Sequence, residues 1–343
     1  MEELLVKTIM DTNYFHLSED GNILEFNLSS NYGFRRKHYY NNEFVKLVGE
    51  LDCYSRSDLR YVYAWDTAIL PPDDLNLNRH DLLNKLGLYL QQRALFLKHY
   101  LLFLWFVKDN SISMSACYGH IPAMERMFVS LSTSDTITTA KGVFKDQIFT
   151  LEELENALNI FNAYNKIAYN STISREVLQQ KLVIPTAGLY ASFHTKDYDE
   201  AKNYNDFNRI ERAFRFLAFA RHSSFLPHKI ALYIPVLECL FSTSPSEATQ
   251  KVSERTAFYL GTCSDERRHV FDTISHGYNL RSRYIHGGQF DKKRDTLLEN
   301  QMMTSENLDS IIRRVLTKVI LNDSELFLDN EKLNTYLKYL MFF

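Results

Sequence analysis

Leu308-Asp309-Ser310-Ile311-Ile312-Arg313-Arg314-Val315-Leu316-Thr317-Lys318-Val319-Ile320 carries the strongest periodic signal in the chain. Its apolar residues Leu308, Ile311, Ile312, Val315, Leu316, Val319 and Ile320 recur at i, i+3, i+4 and i+7. That spacing lays them on one stripe of an α-helix, which must bury the stripe against a neighbour. Further helices read off upstream. Phe207 to Arg221 is one. Pro227 opens the next, where a missing N–H costs little. It runs to about Ser242, with a kink expected at Pro235. Ser244-Pro245-Ser246-Glu247 has the form of a capping box, its helix continuing to Leu260 with Gly261 as the stop. Ser264 is placed to cap another, with Asp265 and Glu266 near its positive end. About five helices with short links predict an all-α bundle over residues 205–343.

The other part of the chain is mixed. Ile23 to Leu28 and Leu59 to Trp65 alternate as strands do, and Pro71-Pro72-Asp73-Asp74 is a turn. Asn78 to Lys108 is helical. Met127 to Leu131 and Val143 to Phe149 are extended. Thr150-Leu151-Glu152-Glu153 is a second capping box, opening a helix to about Tyr169. Asn170 to Asn205 is polar and weakly periodic, which puts a domain boundary near residue 200. The expectation is an α+β region over 1–200 that senses a trigger or selects a substrate, and a mainly α protein overall.

Composition narrows the function. The 343 residues are 45% apolar and 24% charged, enough for two packed domains. A net charge of −3 rules out a bulk basic field for long nucleic acid and leaves only local patches. The four cysteines, Cys53, Cys117, Cys239 and Cys263, form no CxxC pair. That argues against a disulfide framework or a four-thiolate zinc site and fits a reducing cytoplasm. Cys117-Tyr118-Gly119-His120 has two potential metal ligands without a second pair. No secretion signal is visible after Met1-Glu2-Glu3. The most apolar run, Ala94 to Val107, is interrupted by Lys98 and His99 and reads as a core helix, so no membrane partner is expected. Neither a GxSxG elbow nor a phosphate loop is present, and no metal or cofactor is expected.

Tyr278-Asn279-Leu280-Arg281-Ser282-Arg283-Tyr284-Ile285-His286-Gly287-Gly288 is the segment with chemistry in it. Arg281 offers a planar, permanently charged fork suited to phosphate. His286 exchanges protons near neutral pH. Gly287 ends the helix and leaves His286 at its carbonyl end, where the dipole favours an imidazolium. The bare Arg-to-His spacing also occurs at Arg93/His99, Arg215/His222 and Arg221/His228 and decides nothing alone. Its context does more. Gly287-Gly288 follows the motif, Leu237-Glu238-Cys239-Leu240-Phe241 precedes it, and Glu247 with Arg255-Thr256-Ala257 lies between.

In that order these features resemble the Apea-like HEPN family, over about residues 207 to 321. The resemblance implies a HEPN-type bundle that dimerises and cleaves RNA without metal, leaving 2′,3′-cyclic phosphate and 5′-hydroxyl ends. It also implies a bacterial stress or anti-phage effector. Arg281 and His286 become the catalytic candidates. Ser282, Arg283, Tyr284 and Glu238 are the RNA-binding or supporting ones. Five residues along a helix is about 500°, so Arg281 and His286 point about 140° apart. Either Arg281 curls around the helix or two chains share a cleft, which makes a symmetric homodimer the expectation.

Plainer readings compete. Glu238 and Arg281 can be a structural ion pair. Arg255 can be a paired helix charge. Arg209, Arg212, Arg215 and Arg221 can be a solvated face or an RNA-binding stripe. Tyr284 can belong to the core, and His276-Gly277 to a helix interruption. The main alternative function is a non-catalytic dimerisation and RNA- or nucleotide-binding module; a partner-docking scaffold is a third.

Overall fold

A computed structural model of the protein describes residues 5–18, 25–29, 32–36, 61–69, 77–122, 128–132, 136–169, 204–243, 248–291 and 295–340. The chain divides into two compact units, Met1–Ile137 with Phe144–Leu158, and Thr138–Val143 with Asn159–Phe343. The expected turn at Pro71 to Asp74, the capping box at Ser244 to Glu247 and the boundary near residue 200 lie outside the described residues.

The first unit is α+β. Its strands are β1 (Leu5–Leu17), β2 (Glu25–Ser29), β3 (Tyr32–Arg36), β4 (Tyr61–Ile69), β5 (Ser113–His120), β6 (Phe128–Ser132) and β7 (Gln147–Phe149). They form one sheet in the order β2-β3-β4-β1-β5-β6, with β7 parallel to the end of β1 and the other pairings antiparallel. The central strand β1 has no counterpart in the sequence reading. Its inner face is Val6, Thr8, Met10 and Thr12, all buried. Two threonines on that face blur the apolar alternation. β5, Ser-Met-Ser-Ala-Cys-Tyr-Gly-His, is concealed by small polar residues in the same way.

Helix α1 (Arg79–Val107) starts on Asn78, whose side chain accepts from the Asp81 amide. It packs on β5 and β6 and buries Leu82, Leu86, Leu90, Ala94, Leu97 and Leu101. Gly119 permits the approach, since a Cβ there would stand 2.9 Å from Leu90 Cδ1. His99 sits beside Phe103, and desolvation pushes its imidazole down to about 4, so it stays neutral in this helix. No helix among the described residues is long and apolar enough to cross a membrane. Helix α2 (Leu151–Tyr169) opens on the expected capping box: the Glu153 amide donates to Thr150 Oγ1 at 3.2 Å, and the Thr150 amide to Glu153 Oε2 at 2.9 Å. Lys108 Nζ also reaches Glu153, at 2.6 Å.

The second unit is an all-α bundle of α3 (Arg209–His222), α4 (Leu226–Phe241), α5 (Ala248–Leu260), α6 (Ser264–Ile285), α7 (Leu298–Leu321), α8 (Ser324–Leu328) and α9 (Asn330–Tyr339). In α7 the seven apolar residues of the Leu308–Ile320 stripe are all buried. Each such side chain contributes about 1.5–3 kcal/mol when taken out of water. Helix α4 is at the centre, packing on α3, α5, α6 and α7. It is buried nearly all round, with Pro227 in its first turn and Pro235 inside it.

Helix α6 corrects two expectations. Its N-cap is Cys263, which makes no side-chain cap bond. Glu266 caps that end instead, accepting from the Thr262 amide at 2.9 Å and its hydroxyl at 3.1 Å. Nor does His276-Gly277 interrupt α6, which runs unbroken to Ile285. At Gly277 both α4 and α7 press against α6: a Cβ there would stand 2.9 Å from Ile234 Cδ1 and 3.0 Å from Leu308 Cδ1.

Candidate functional site

The end of α6 carries the candidate residues. Three backbone bonds close it: the His286 amide to Ser282 O at 3.1 Å, Gly287 to Tyr284 O at 3.3 Å, and Gly288 to Arg283 O at 2.7 Å. With Gly287 at φ +69°, the last two form a Schellman turn. The stop expected at Gly287 is therefore present, and His286 is the C-cap residue. Its imidazole is exposed and makes no hydrogen bond, ion pair or ring contact among the described residues.

Arg281 lies one turn earlier, half-buried, with Nη1 3.3 Å from Glu238 Oε1 on α4. The Tyr278 hydroxyl, buried beside the same carboxylate, is raised well above its ordinary range by burial first and by the Glu238 charge second, against the pull of Arg281. Glu238, Tyr278 and Arg281 are thus one electrostatic cluster. No hydrogen bond joins Arg281 to His286 within the chain.

The remaining candidates fall in different places. Ser282 is exposed. Arg283 Nη1 is 3.6 Å from Asp295 Oδ2, and the same carboxylate is 3.5 Å from His276 Nε2 through Oδ1. Asp295 is 3% exposed, in the connection between α6 and α7. His276 and Arg283, seven residues apart, share a face of α6, since seven steps fall about 20° short of two turns. The sequence reading missed Asp295 because the connection around it has no periodicity. The spacing of its two partners was the available signal.

Tyr284 is half-exposed. Its ring centroid is 6.0 Å from those of Phe225 and of His228, at interplanar angles of 62° and 34°. Phe225 and His228 come from the start of α4 and are exposed. Nothing in the sequence pointed to Phe225, and His228 figured there only in the Arg221/His228 spacing, because nothing local marks an α3–α4 corner as facing the end of α6.

The arginines of α3 act on protein. Arg209 Nη1 donates to Cys239 O at 3.2 Å and Leu240 O at 3.0 Å, and Nη2 to Asn330 Oδ1 at 2.7 Å. Arg212 donates to Phe207 O at 2.9 Å, Arg215 lies 3.8 Å over the Phe207 ring, and Arg221 is buried. Arg255 donates to Phe241 O at 2.6 Å. Arg209 and Arg255 together satisfy carbonyls at the end of α4. Burial pushes the Cys239 thiol up to about 11, against the pull of Arg212, which removes it as a nucleophile near neutral pH.

Among the described residues no group of three His, Cys, Asp or Glu side chains is placed to hold a metal ion. Cys117, on β5, is buried with Sγ 3.9 Å from Leu90 O.

No protein-family model, curated protein or solved structure matches the chain.

Proposed function

We propose that the helical unit is a metal-independent endoribonuclease of HEPN type, working as a cytoplasmic homodimer in a stress or anti-phage response. One observation carries the reading. The short stretch that ends α6 pairs a guanidinium steered by Glu238 with an imidazole set on a backbone-locked turn and open to solvent. The chemistry asks for those two groups. A base takes the proton of the substrate's 2′-hydroxyl, and the 2′-oxygen attacks the adjacent phosphorus. The bond from phosphorus to the 5′-oxygen breaks, and an acid returns a proton to that oxygen. Arg281 offsets charge on the phosphoryl oxygens.

Within one chain no hydrogen bond joins the two side chains. A two-fold arrangement brings a second His286 and Arg281 to the cleft and supplies base, acid and clamp. Ile285, Leu297, Leu298 and Met303, each more than half exposed around the α6–α7 connection, offer apolar surface for that pairing.

Purified full-length protein incubated with total RNA and tRNA tests the reading. Cleavage by the wild type that is lost in Arg281→Ala and in His286→Ala is expected. RNA left intact by the wild type, with all three proteins indistinguishable, rejects it.

A second reading is a binding module without turnover. It is favoured by His286, which has no hydrogen bond or ion pair among the described residues to set it up as an acid or a base. RNA binding that depends on Arg281, with no product formed, would select it.

A further inference from the structure

We infer that Phe225, His228 and Tyr284 form a shelf on which an unpaired nucleobase stacks, beside the residues proposed to cut the chain. The inference rests on the proposed function and extends it from the phosphate to the base.

The shelf is built from two helices of one unit. Phe225 is the N-cap residue of α4 and is 59% exposed; His228 follows in the first turn of the same helix. Tyr284 comes from the last turn of α6 and stands 6.0 Å, centroid to centroid, from each of the other two rings. Backbone bonds fix both ends: the Lys229 amide donates to Phe225 O at 2.9 Å, and Tyr284 O accepts from Gly287 in the terminal turn. The polar edges are not used up. His228 Nδ1 has Ser223 Oγ at 3.4 Å, and the Tyr284 hydroxyl has no hydrogen-bond partner among the described residues.

Ordinary core aromatics in this bundle look different. Phe241, Tyr259 and Phe327 also form a ring cluster, yet all three are buried, and Tyr259 donates its hydroxyl to Asp323. In the Phe225 cluster, Phe225 and His228 are exposed and Tyr284 is only partly buried. Exposed rings with hydrogen-bonding edges suit a flat heterocycle, because every base has a π-face and a polar rim.

Placement ties the shelf to the phosphate. Tyr284 is three residues after Arg281, so the two are neighbours on the helix surface, about 5–6 Å apart at Cβ. It is two residues before His286. A base lying on Tyr284 and His228 therefore brings its own backbone toward the terminal turn that carries His286. Protein interfaces use such rings as well; the position of Tyr284 between Arg281 and His286, the two groups proposed to act on RNA, favours a nucleotide here.

The test uses full-length protein and an RNA of about twelve residues carrying 2′-O-methyl groups throughout, which binds but cannot be cut. Affinity is read by fluorescence anisotropy for this RNA and for copies lacking one base at each position in turn. In the wild type, removing one particular base weakens binding about tenfold, the size of a single stacking contact. Phe225→Ala, His228→Ala and Tyr284→Leu each weaken the intact RNA to a similar extent, and removal of that base then costs them nothing further. Tyr284→Phe, which keeps the ring and loses the hydroxyl, weakens binding less than Tyr284→Leu. Ring variants that bind like the wild type, or that still pay the full penalty for the missing base, overturn the shelf. So does a Phe225→Ala effect confined to self-association in sedimentation, which would make the rings a protein contact.

Cleavage of ordinary RNA is scored separately. Cutting that needs His286 but not the rings rejects the shelf and leaves the nuclease. Ring-dependent binding without any cutting supports the shelf and rejects the nuclease.

Discussion

Arg281 and Glu238 face one another from two neighbouring helices of the bundle, Nη1 to Oε1 3.3 Å, with 36% and 25% of their side chains exposed. That exposure places the pair between two roles. Deep burial would make it a structural bridge. Full exposure would leave Arg281 unsteered.

Glu238→Ala therefore lowers stability only slightly, by under about 1 kcal/mol in urea denaturation, as solvent-screened pairs do. RNA cleavage falls much further, about tenfold or more, as mispositioned catalytic groups do. The loss appears mainly in kcat, because the guanidinium is no longer aimed. Glu238→Gln, which keeps an acceptor, retains part of the rate. A drop in stability with unchanged kcat would make the pair purely structural.

Gly287 holds φ +69°, and a Cβ there meets nothing within 4 Å. Gly287→Ala then costs about 1 kcal/mol from backbone strain alone. Gly287→Asn costs less, because asparagine tolerates that conformation. Paired urea titrations measure both. The same strain displaces the turn that sets His286, so cleavage falls in the same order.

Asp295 ties the α6–α7 connection to His276 and Arg283. Its partners are partly exposed, so Asp295→Ala costs about 1 kcal/mol rather than the several expected for a fully buried pair. Hydrogen exchange locates the effect. Amides at residues 286–288 lose protection, while those of α4 are unchanged. Unaltered exchange at the turn would mean that Asp295 does not brace it.

Glu266 titrates at about 2, lowered first by the Thr262 amide and then by Arg314. A depressed carboxyl adds stability above its ordinary value of 4.5, and the contribution disappears as pH falls toward 2. Glu266→Gln should thus narrow its stability gap to the wild type progressively between pH 5 and pH 2. Chemical denaturation at a series of pH values reads this out, and a constant gap contradicts the assignment.

Much of the helical unit was legible because burial there is periodic. Leu308 to Ile320 reads as one stripe, and the structure buries that stripe. Thr150 with Glu153, and Gly287, were legible for a different reason: caps are local, and three or four residues contain the whole signal. What stayed hidden depends on distant pairings. Thr8 and Thr12 on the inner face of β1 look polar until the sheet covers them. Gly277 looks like a break until Ile234 and Leu308 are seen against it. At the site, Arg281 and His286 could be picked out by their chemistry. The partnership of Asp295 with His276 and Arg283 joins separate stretches of the chain, as does that of Phe225 with Tyr284, so neither is contained in any one segment.

The most direct measurement of the central claim is end-group analysis of RNA incubated with purified protein in excess chelator. The account predicts 2′,3′-cyclic phosphate and 5′-hydroxyl ends from the wild type, undiminished by the chelator and absent with Arg281→Ala and His286→Ala. Intact RNA, products with 5′-phosphate ends, or cleavage that survives both substitutions would contradict it.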